Sequence, residues 1–148
     1  MAEYGELQLK SSSPEASHAA LSSVISATMS NALLIYFFRR VRKTNPAILQ
    51  HYIEIIINGI AKQEFVKSKY QLDAGVIIWP MFIAACEAIG QETRRTILGY
   101  LRQAGTCGFR VADKVESFIE EFWNRRDGCS GVDFRTVLQD SKLRLQLL

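Results

Sequence analysis

The chain has 148 residues, of which 48% are hydrophobic and 22% are charged, and its formal net charge is +3. This length suits one domain with a real core, and the composition excludes an intrinsically disordered chain. The net charge is too small to indicate nucleic-acid binding, which requires a concentrated basic face.

The N-terminal residues predict a short arm without a targeting signal. Residues 1–10 contain two glutamates, no apolar run and no arginine, so neither a secretory signal nor a transit peptide is expected. Ser13 and Pro14 then suit the N-cap and the first position of a helix. We therefore expect a flexible arm over residues 1–13, followed by a helical domain over residues 14–148.

The next thirty residues predict a long helix with a weak middle. Residues 15–43 contain no helix breaker, but their serines lower helix propensity, so one kinked helix and two helices both fit. The part over residues 32–42 is the more strongly predicted half. Thr44, Asn45 and Pro46 should end it, because proline lacks an amide hydrogen.

An apolar run within this segment, residues 24–38, precedes the basic cluster Arg39, Arg40, Arg42 and Lys43. Its fifteen residues include polar side chains and fall short of the roughly twenty that cross a bilayer. We therefore expect a core helix and no membrane span, with a membrane-surface role as the weaker alternative. The basic cluster has three interpretations, in descending order of preference: a solvated helix end, a nuclear-import patch and a phosphate-contacting strip.

The segment after Pro46 predicts a second helix that is buried on more than one side. Its apolar residues recur at spacings of three and four, and two more widen the face: Leu49, Tyr52, Ile53, Ile56 and Ile60, then Ile55 and Ile57. Many are β-branched and would suit a strand, but the run is long and lacks alternation. We expect the helix to end near Lys62, with a loop or frayed end up to Gly75.

The most distinctive segment starts at Trp79 and predicts a third helix. Pro80 suits the first turn of a helix, and Gly90 is a natural stop after the small apolar run that follows. We predict helix from Val76 or Trp79 to Ala88.

The apolar run of this third helix ends in a single carboxylate, Glu87. A buried carboxylate needs a partner. We expect Arg94 or Arg95, at the start of the next helix, to fold back across Gly90 and form a bidentate lock with Glu87.

Two further helices are predicted over residues 91–104 and 110–126. The fourth presents Arg94, Ile97, Leu98 and Leu101, and ends at Gly105. The fifth has the clearest amphipathic pattern, with the apolar residues Val111, Val115, Phe118, Ile119, Phe122 and Trp123. A short helical turn over residues 134–138 and an apolar C terminus should complete the domain.

The sequence contains no recognisable catalytic or metal-binding set. Its cysteines and histidines are scattered, without zinc spacing: Cys86, Cys107, Cys129, His18 and His51. This sparse count indicates reduced thiols in an intracellular compartment, and Cys86, in an apolar helix beside a carboxylate, is interpreted as a packing thiol. The adjacent Glu120 and Glu121 are interpreted as solvated charges. We predict no catalytic residue, no cofactor, no bound metal and no enzymatic activity.

The sequence nevertheless resembles a known family. The block Trp79-Pro80-Met81-Phe82-Ile83-Ala84-Ala85-Cys86-Glu87-Ala88, then Arg94, then a helix ending in Phe122-Trp123, resembles the end of the fungal-specific regulatory domain of zinc-cluster (Zn2Cys6) transcription factors. The upstream block Ala32-Leu33-Leu34-Ile35-Tyr36, followed by Arg39, is similar to the preceding helix of that family. The likeness covers roughly residues 30 to 148. Its structural signature residues are Trp79, Pro80, Glu87, Arg94 and Trp123.

This resemblance implies an all-α, irregular bundle of about five to six helices, forming the C-terminal part of a larger helical regulatory domain. The family includes regulators of arginine metabolism and sterol response. Its DNA-binding module is an N-terminal Cys-x2-Cys-x6-Cys cluster that holds two zinc ions, a spacing absent from this sequence. We therefore expect zinc and DNA contact only in a full-length factor, and this chain to be a short relative or a truncated product.

The resemblance favours a nuclear transcription regulator, with the cytoplasm as the alternative location. We expect it to act by protein interaction, self-association or effector response, because missing helices would expose an apolar face. The alternatives are a small-ligand-sensing module, with a pocket between the helices that carry Trp79 and Trp123, and a non-catalytic interaction protein.

Overall fold

The computed structural model describes residues 14–72, 77–106 and 110–128, together with Val137. Its five α-helices are α1 (Pro14–Arg40), α2 (Gln50–Tyr70), α3 (Ile78–Glu87), α4 (Gln91–Thr106) and α5 (Arg110–Gly128). A 3-10 helix, Pro46–Leu49, joins α1 to α2. These described ranges contain no strand, so the predicted all-α class is confirmed.

α1 and α2 form an antiparallel hairpin. Near its closed end, the ring of Phe38 on α1 stacks on Tyr52 of α2 with centroids 6.0 Å apart. Further along, Gln63 of α2 donates a hydrogen bond to the hydroxyl of Thr28 on α1 at 3.3 Å. α1 is one helix of 27 residues, which decides between the two alternatives for this segment.

α1 ends where the sequence predicted a terminator. Lys43 adopts the left-handed conformation with φ of 51°, and the amide of Thr44 donates to the carbonyl of Phe38 at 3.0 Å. This bond reaches back six residues, one more than in the Schellman type of helix end. Asn45 then caps the 3-10 helix by accepting from the amide of Ala47 at 2.9 Å.

α2 continues to Tyr70, so the predicted end near Lys62 was wrong. The polar residues beyond Lys62 do not break the helix, because Gln63 is buried against α1 and Glu64 pairs with Lys67 at 2.8 Å. Ser68 and Lys69 are exposed. The helix stops at Gln71, a left-handed residue with φ of 51°, followed by a hydrogen bond from Leu72 back to the carbonyl of Lys67. The sequence offered no glycine at this stop.

α3 is the central helix, and every residue from Pro80 to Ala88 is buried. It begins at Ile78, between the two predicted starts, and Pro80 lies in its first turn as expected. A proline costs little there because amides of the first turn have no partner within the helix. α3 contacts each of the other four α-helices.

α4 and α5 form a second antiparallel hairpin. Arg102 of α4 pairs with Glu116 of α5 at 2.7 Å across its solvent side. The predicted apolar face of α5 is confirmed from Val115 to Trp123, and Phe118 packs against Phe82 of α3 with centroids 5.7 Å apart. α3 therefore lies between two helical hairpins.

Several predictions fall outside the described residues. These are the arm over residues 1–13 with its Ser13 cap, the end of the loop at residues 73–76, Cys107, Cys129, the side chain of Val111 and the C-terminal tail. Within the tail, Val137 is described, and it is helical and buried. The proposed domain limits remain a prediction.

Candidate functional site

Side chains from three helices converge on the C-terminal end of α3. Four successive backbone carbonyls each accept a hydrogen bond from a side chain there. Trp123 donates to the carbonyl of Ala85 at 2.8 Å, and Arg126 donates to that of Cys86. Gln50 donates to the carbonyl of Glu87 and Arg94 to that of Ala88, both at 2.9 Å. Carbonyls at a helix end have no partner within the helix, and cations are favoured beside the negative end of its dipole. We call these eight residues, with Arg39 and Asp127, the α3 junction.

The carboxylate of Glu87 lies at the centre of the α3 junction. Its Oε2 is 2.8 Å from Nε of Arg39 and 4.0 Å from Nη1 of Arg126. The contact with Arg39 is an ion pair that is not aligned as a hydrogen bond. Burial lowers the pKa of Arg126 because it disfavours the charged form, and the nearby Glu87 carboxylate opposes that effect.

The predicted lock between Glu87 and Arg94 or Arg95 was therefore wrong. α1 ends beside the end of α3, so Arg39 reaches Glu87, while Arg94 is held on the other side by three different groups. Arg94 donates two hydrogen bonds to Asp127, at 2.7 and 2.9 Å, and its guanidinium lies 4.9 Å from the ring centre of Trp123. These hydrogen bonds from Arg94 lower the pKa of Asp127.

The basic cluster at the end of α1 is divided between two environments. Arg39 turns inward, where it pairs with Glu87 and donates to the carbonyl of Thr44 at 2.7 Å. Arg42 and Lys43 are exposed after the helix, as a solvated helix end predicts. The preferred interpretation is thus wrong for Arg39, whereas the exposure of Arg42 and Lys43 fits all three interpretations, which stay predictions.

A cleft of about 510 Å³ lies between α4 and α5. Its lining combines three arginines and two carboxylates with one aromatic ring: Arg94, Arg95, Arg102, Glu120, Asp127 and Trp123. Trp79 does not line this cleft and lies 6.4 Å from the ring of Tyr36 on α1. This cleft is therefore not the pocket predicted between the helices that carry Trp79 and Trp123, and that pocket stays a prediction.

α1 is less buried than a core helix. It buries one stripe against α2 and α3: Ser17, Leu21, Thr28, Ala32 and Ile35. By length and composition α1 could cross a membrane, and only 22% of its most apolar stretch is buried within the protein. Such criteria are weak evidence for a span, since core helices of soluble proteins also meet them. The prediction of a core helix holds for one face of α1 alone.

Eight large apolar side chains of the described residues are between 42% and 66% exposed. They are Leu33, Leu34, Phe37, Val41, Ile48, Ile55, Phe65 and Ile89. All of them precede α4, and half lie on α1 or directly after it. The exposed apolar surface is thus concentrated on the first hairpin.

The residues considered for chemistry lie in ordinary structural environments. Cys86 is buried in the core, as expected of a packing thiol. Glu121 pairs at the surface with Arg125 at 2.6 Å, and Glu120 is exposed 4.0 Å from Arg102. Among residues 14–72, 77–106 and 110–128, no group of three or more His, Cys, Asp and Glu side chains is arranged to hold a metal ion.

Comparison with known protein families matches residues 4–148 to the fungal specific transcription factor domain. Comparisons with curated proteins and with solved structures returned no match. The family match covers nearly the whole chain and confirms the resemblance that the blocks around Trp79 and Trp123 indicated.

Proposed function

Since the chain belongs to the fungal specific transcription factor domain family, we propose that it is a non-catalytic regulatory domain that acts in the nucleus through protein contacts. The observation that supports this mode of action is the exposed apolar surface of the first hairpin. Single exposed apolar residues are ordinary, but a concentrated set is typical of a protein interaction surface. DNA and zinc enter this proposal only through the zinc-cluster module of a full-length factor.

A reporter assay in fungal cells tests this function. The chain is fused to a heterologous DNA-binding domain, and transcription from a promoter that carries its binding sites is measured. We expect the fusion to change transcription at least threefold relative to the DNA-binding domain alone. Equal transcription from both, at equal nuclear protein levels, would contradict the proposal.

A pair of substitutions separates surface contact from folding in that assay. Ile48→Asp and Ile55→Asp place charges on exposed apolar positions of the first hairpin, so they should abolish the effect while the helix content stays unchanged. Asn58→Asp, at an exposed polar position of α2, is the matched control, and the fusion that carries it should still change transcription.

The cleft between α4 and α5 supports a second candidate function, the binding of a small effector. Its lining carries both signs of charge around the ring of Trp123, and this chemistry suits a small zwitterion better than an apolar sterol. Arg95 and Arg102 offer cations to a carboxylate, and Glu120 offers an anion to an amine.

Thermal-shift screening tests the effector hypothesis, because a ligand that binds only the folded state raises the melting temperature. Amino acids should raise it in a concentration-dependent way, and sterols should not. Arg95→Gln, at an exposed lining position, should remove the shift without changing the melting temperature of the free protein. No shift with any amino acid at about 10 mM would exclude affinities tighter than millimolar.

A further inference from the structure

A continuous stripe of small and apolar side chains runs along the outward face of α1. Its members recur at alternating spacings of four and three, and each is exposed: Ala16, Ala20, Ser23, Ala27, Ser30, Leu34 and Phe37 on α1, and Val41 directly after it. The amide of Val41 still donates to the carbonyl of Phe37 at 2.8 Å, as in a helix. This heptad spacing is typical of the seam of a coiled coil. The stripe lies away from the buried residues that pack on α2 and α3, and we call it the α1 seam.

The side chains of the α1 seam increase in size along the helix. The N-terminal half holds only alanine and serine, whereas Leu34, Phe37 and Val41 in the C-terminal half are 42%, 45% and 64% exposed. A second copy turned end for end therefore meets a complementary surface. Its facing pairs are Ala16 with Val41, Ala20 with Phe37, Ser23 with Leu34 and Ala27 with Ser30.

We propose that the α1 seam binds the α1 seam of a second copy of this chain, with the two helices antiparallel and related by a twofold axis. Each large side chain then fills the space above a small one, which is how facing layers interdigitate. A parallel pair would instead place Phe37 on Phe37 and leave the alanines facing each other.

Charge supports the same orientation. Glu15, Ala19, Ser26, Leu33 and Arg40 lie along one flank of the seam, at spacings of four and seven. In the antiparallel pair, Glu15 comes within reach of Arg40 of the second copy, and Leu33 faces Ser26. The exposed basic residues after each helix end up about 40 Å apart, the length of a 27-residue helix. A parallel pair would hold them side by side and repel.

The length of α1 also sets the expected strength of this dimer. A helix about 40 Å long and about 10 Å wide buries about 400 Å² on each copy, or about 800 Å² in total. Stable interfaces bury about 1,200 Å² or more, so the pairing should be weak and dependent on concentration. The inference rests on the proposed function in one respect, because it names one protein partner, for the α1 face of the first hairpin; Ile48 and Ile55 lie outside the α1 seam.

Sedimentation equilibrium of the full chain, at about 1 to 500 µM, tests the pairing. We expect a monomer–dimer equilibrium with a dissociation constant of about 10 to 100 µM. Phe37→Ala, which leaves a hole, and Ala20→Phe, which forces two rings together, should each weaken the dimer at least tenfold. The double variant Ala20→Phe/Phe37→Ala exchanges the two partners and should restore the dissociation constant to within about threefold. Phe65→Ala, an exposed position on α2 outside the seam, is the control and should change nothing.

Cross-linking tests the orientation. In a Cys107→Ser/Cys129→Ser background, a mixture of Ala16→Cys and Val41→Cys chains should form a disulfide between the two variants, while Ala16→Cys alone should not. A monomer throughout the concentration range, a double variant as weak as the single ones, or cross-linking of Ala16→Cys with itself would each overturn the proposal. So would a monomer whose α1 binds anionic lipid vesicles. The reporter assay is a separate measurement. If the two copies do not pair, the regulatory function can still hold, and if the reporter assay fails, the pairing can still hold.

Discussion

At the scale of single residues, the α3 junction is held by groups that satisfy one another. Arg39 and Arg126 neutralise Glu87, and Arg94 and Asp127 form a bidentate pair beside Trp123. A buried ion pair adds little net stability over apolar packing, but the loss of one partner leaves an uncompensated charge. The arginines of the junction therefore depend on their carboxylates.

Glu87→Gln should lower the free energy of unfolding by about 2 to 3 kcal/mol, because it leaves two partly buried arginines without a counter-charge. Urea unfolding followed by circular dichroism measures this loss. Glu121→Gln removes a carboxylate from a pair that is 42% exposed on both sides, and it should cost less than about 0.5 kcal/mol. Equal effects of the two substitutions would contradict the structural importance of Glu87.

The ion pair of Asp127 predicts a pH dependence with a definite sign. Hydrogen bonds from Arg94 lower the pKa of Asp127 in the folded state, below the value of about 3.9 expected in the unfolded chain. Its stabilisation is therefore complete above that pH and is lost as the pH falls through the folded pKa. Asp127→Asn should unfold at a lower urea concentration than the natural chain at pH 7, and the difference should close near pH 2. A difference that does not change with pH would show that ionisation is not its cause.

At the scale of helices, α1 and α2 approach closely at Gly59. A Cβ atom at this position would lie 2.3 Å from the hydroxyl oxygen of Thr28. That hydroxyl donates a hydrogen bond to the carbonyl of Val24 and accepts one from the side chain of Gln63. Glycine weakens a helix, so its presence here follows from the lack of space rather than from backbone geometry. The crossing of the first hairpin is built around this contact.

Gly59→Ala should destabilise the protein by about 1 to 3 kcal/mol, because the steric clash exceeds the gain in helix propensity. Gly99→Ala is the matched control on α4, where an added Cβ meets nothing within 4 Å. It should stabilise the protein by about 0.5 to 1 kcal/mol, so the two alanines should move the melting temperature in opposite directions. Stabilisation by both would mean that the first hairpin is looser than described.

The helices themselves were largely predictable, because periodicity and terminators are local signals. Pro80 lies in the first turn of α3 as predicted, and the spacing of apolar residues located α5. The end of α2 was missed because Gln71 adopts a left-handed conformation that the sequence does not reveal. No local pattern could reveal the partner of Glu87, since Arg39 lies 48 positions away and is brought close only by the packing of α1 on α3. The pairing of Arg94 with Asp127 had a weak signal, because both lie at the open end of the α4–α5 hairpin.

At the scale of the whole molecule, α3 couples the two hairpins. It touches α1 and α2 on one side and α4 and α5 on the other, and its neighbours approach closely because its centre is made of small residues such as Ala84 and Ala85. Within residues 14–72, 77–106 and 110–128, α2 and α4 are the pair of helices from different hairpins that contact each other most extensively. The stability of each hairpin should therefore depend on the same central helix.

Ala84→Leu should lower the stability of both hairpins together, because a larger side chain at this fully buried position pushes against a packed core on either side of α3. Overpacking of this kind costs about 1 to 3 kcal/mol. Hydrogen exchange measures the effect locally, since the slowest amides of α2 and of α5 open only with the unit to which they belong. Their protection should fall by the same factor in both helices. Ala61→Leu, at an exposed position of α2, should leave both unchanged. If the protection of amides falls in α5 while the protection in α2 is unchanged, the hairpins unfold as separate units and α3 belongs to only one of them.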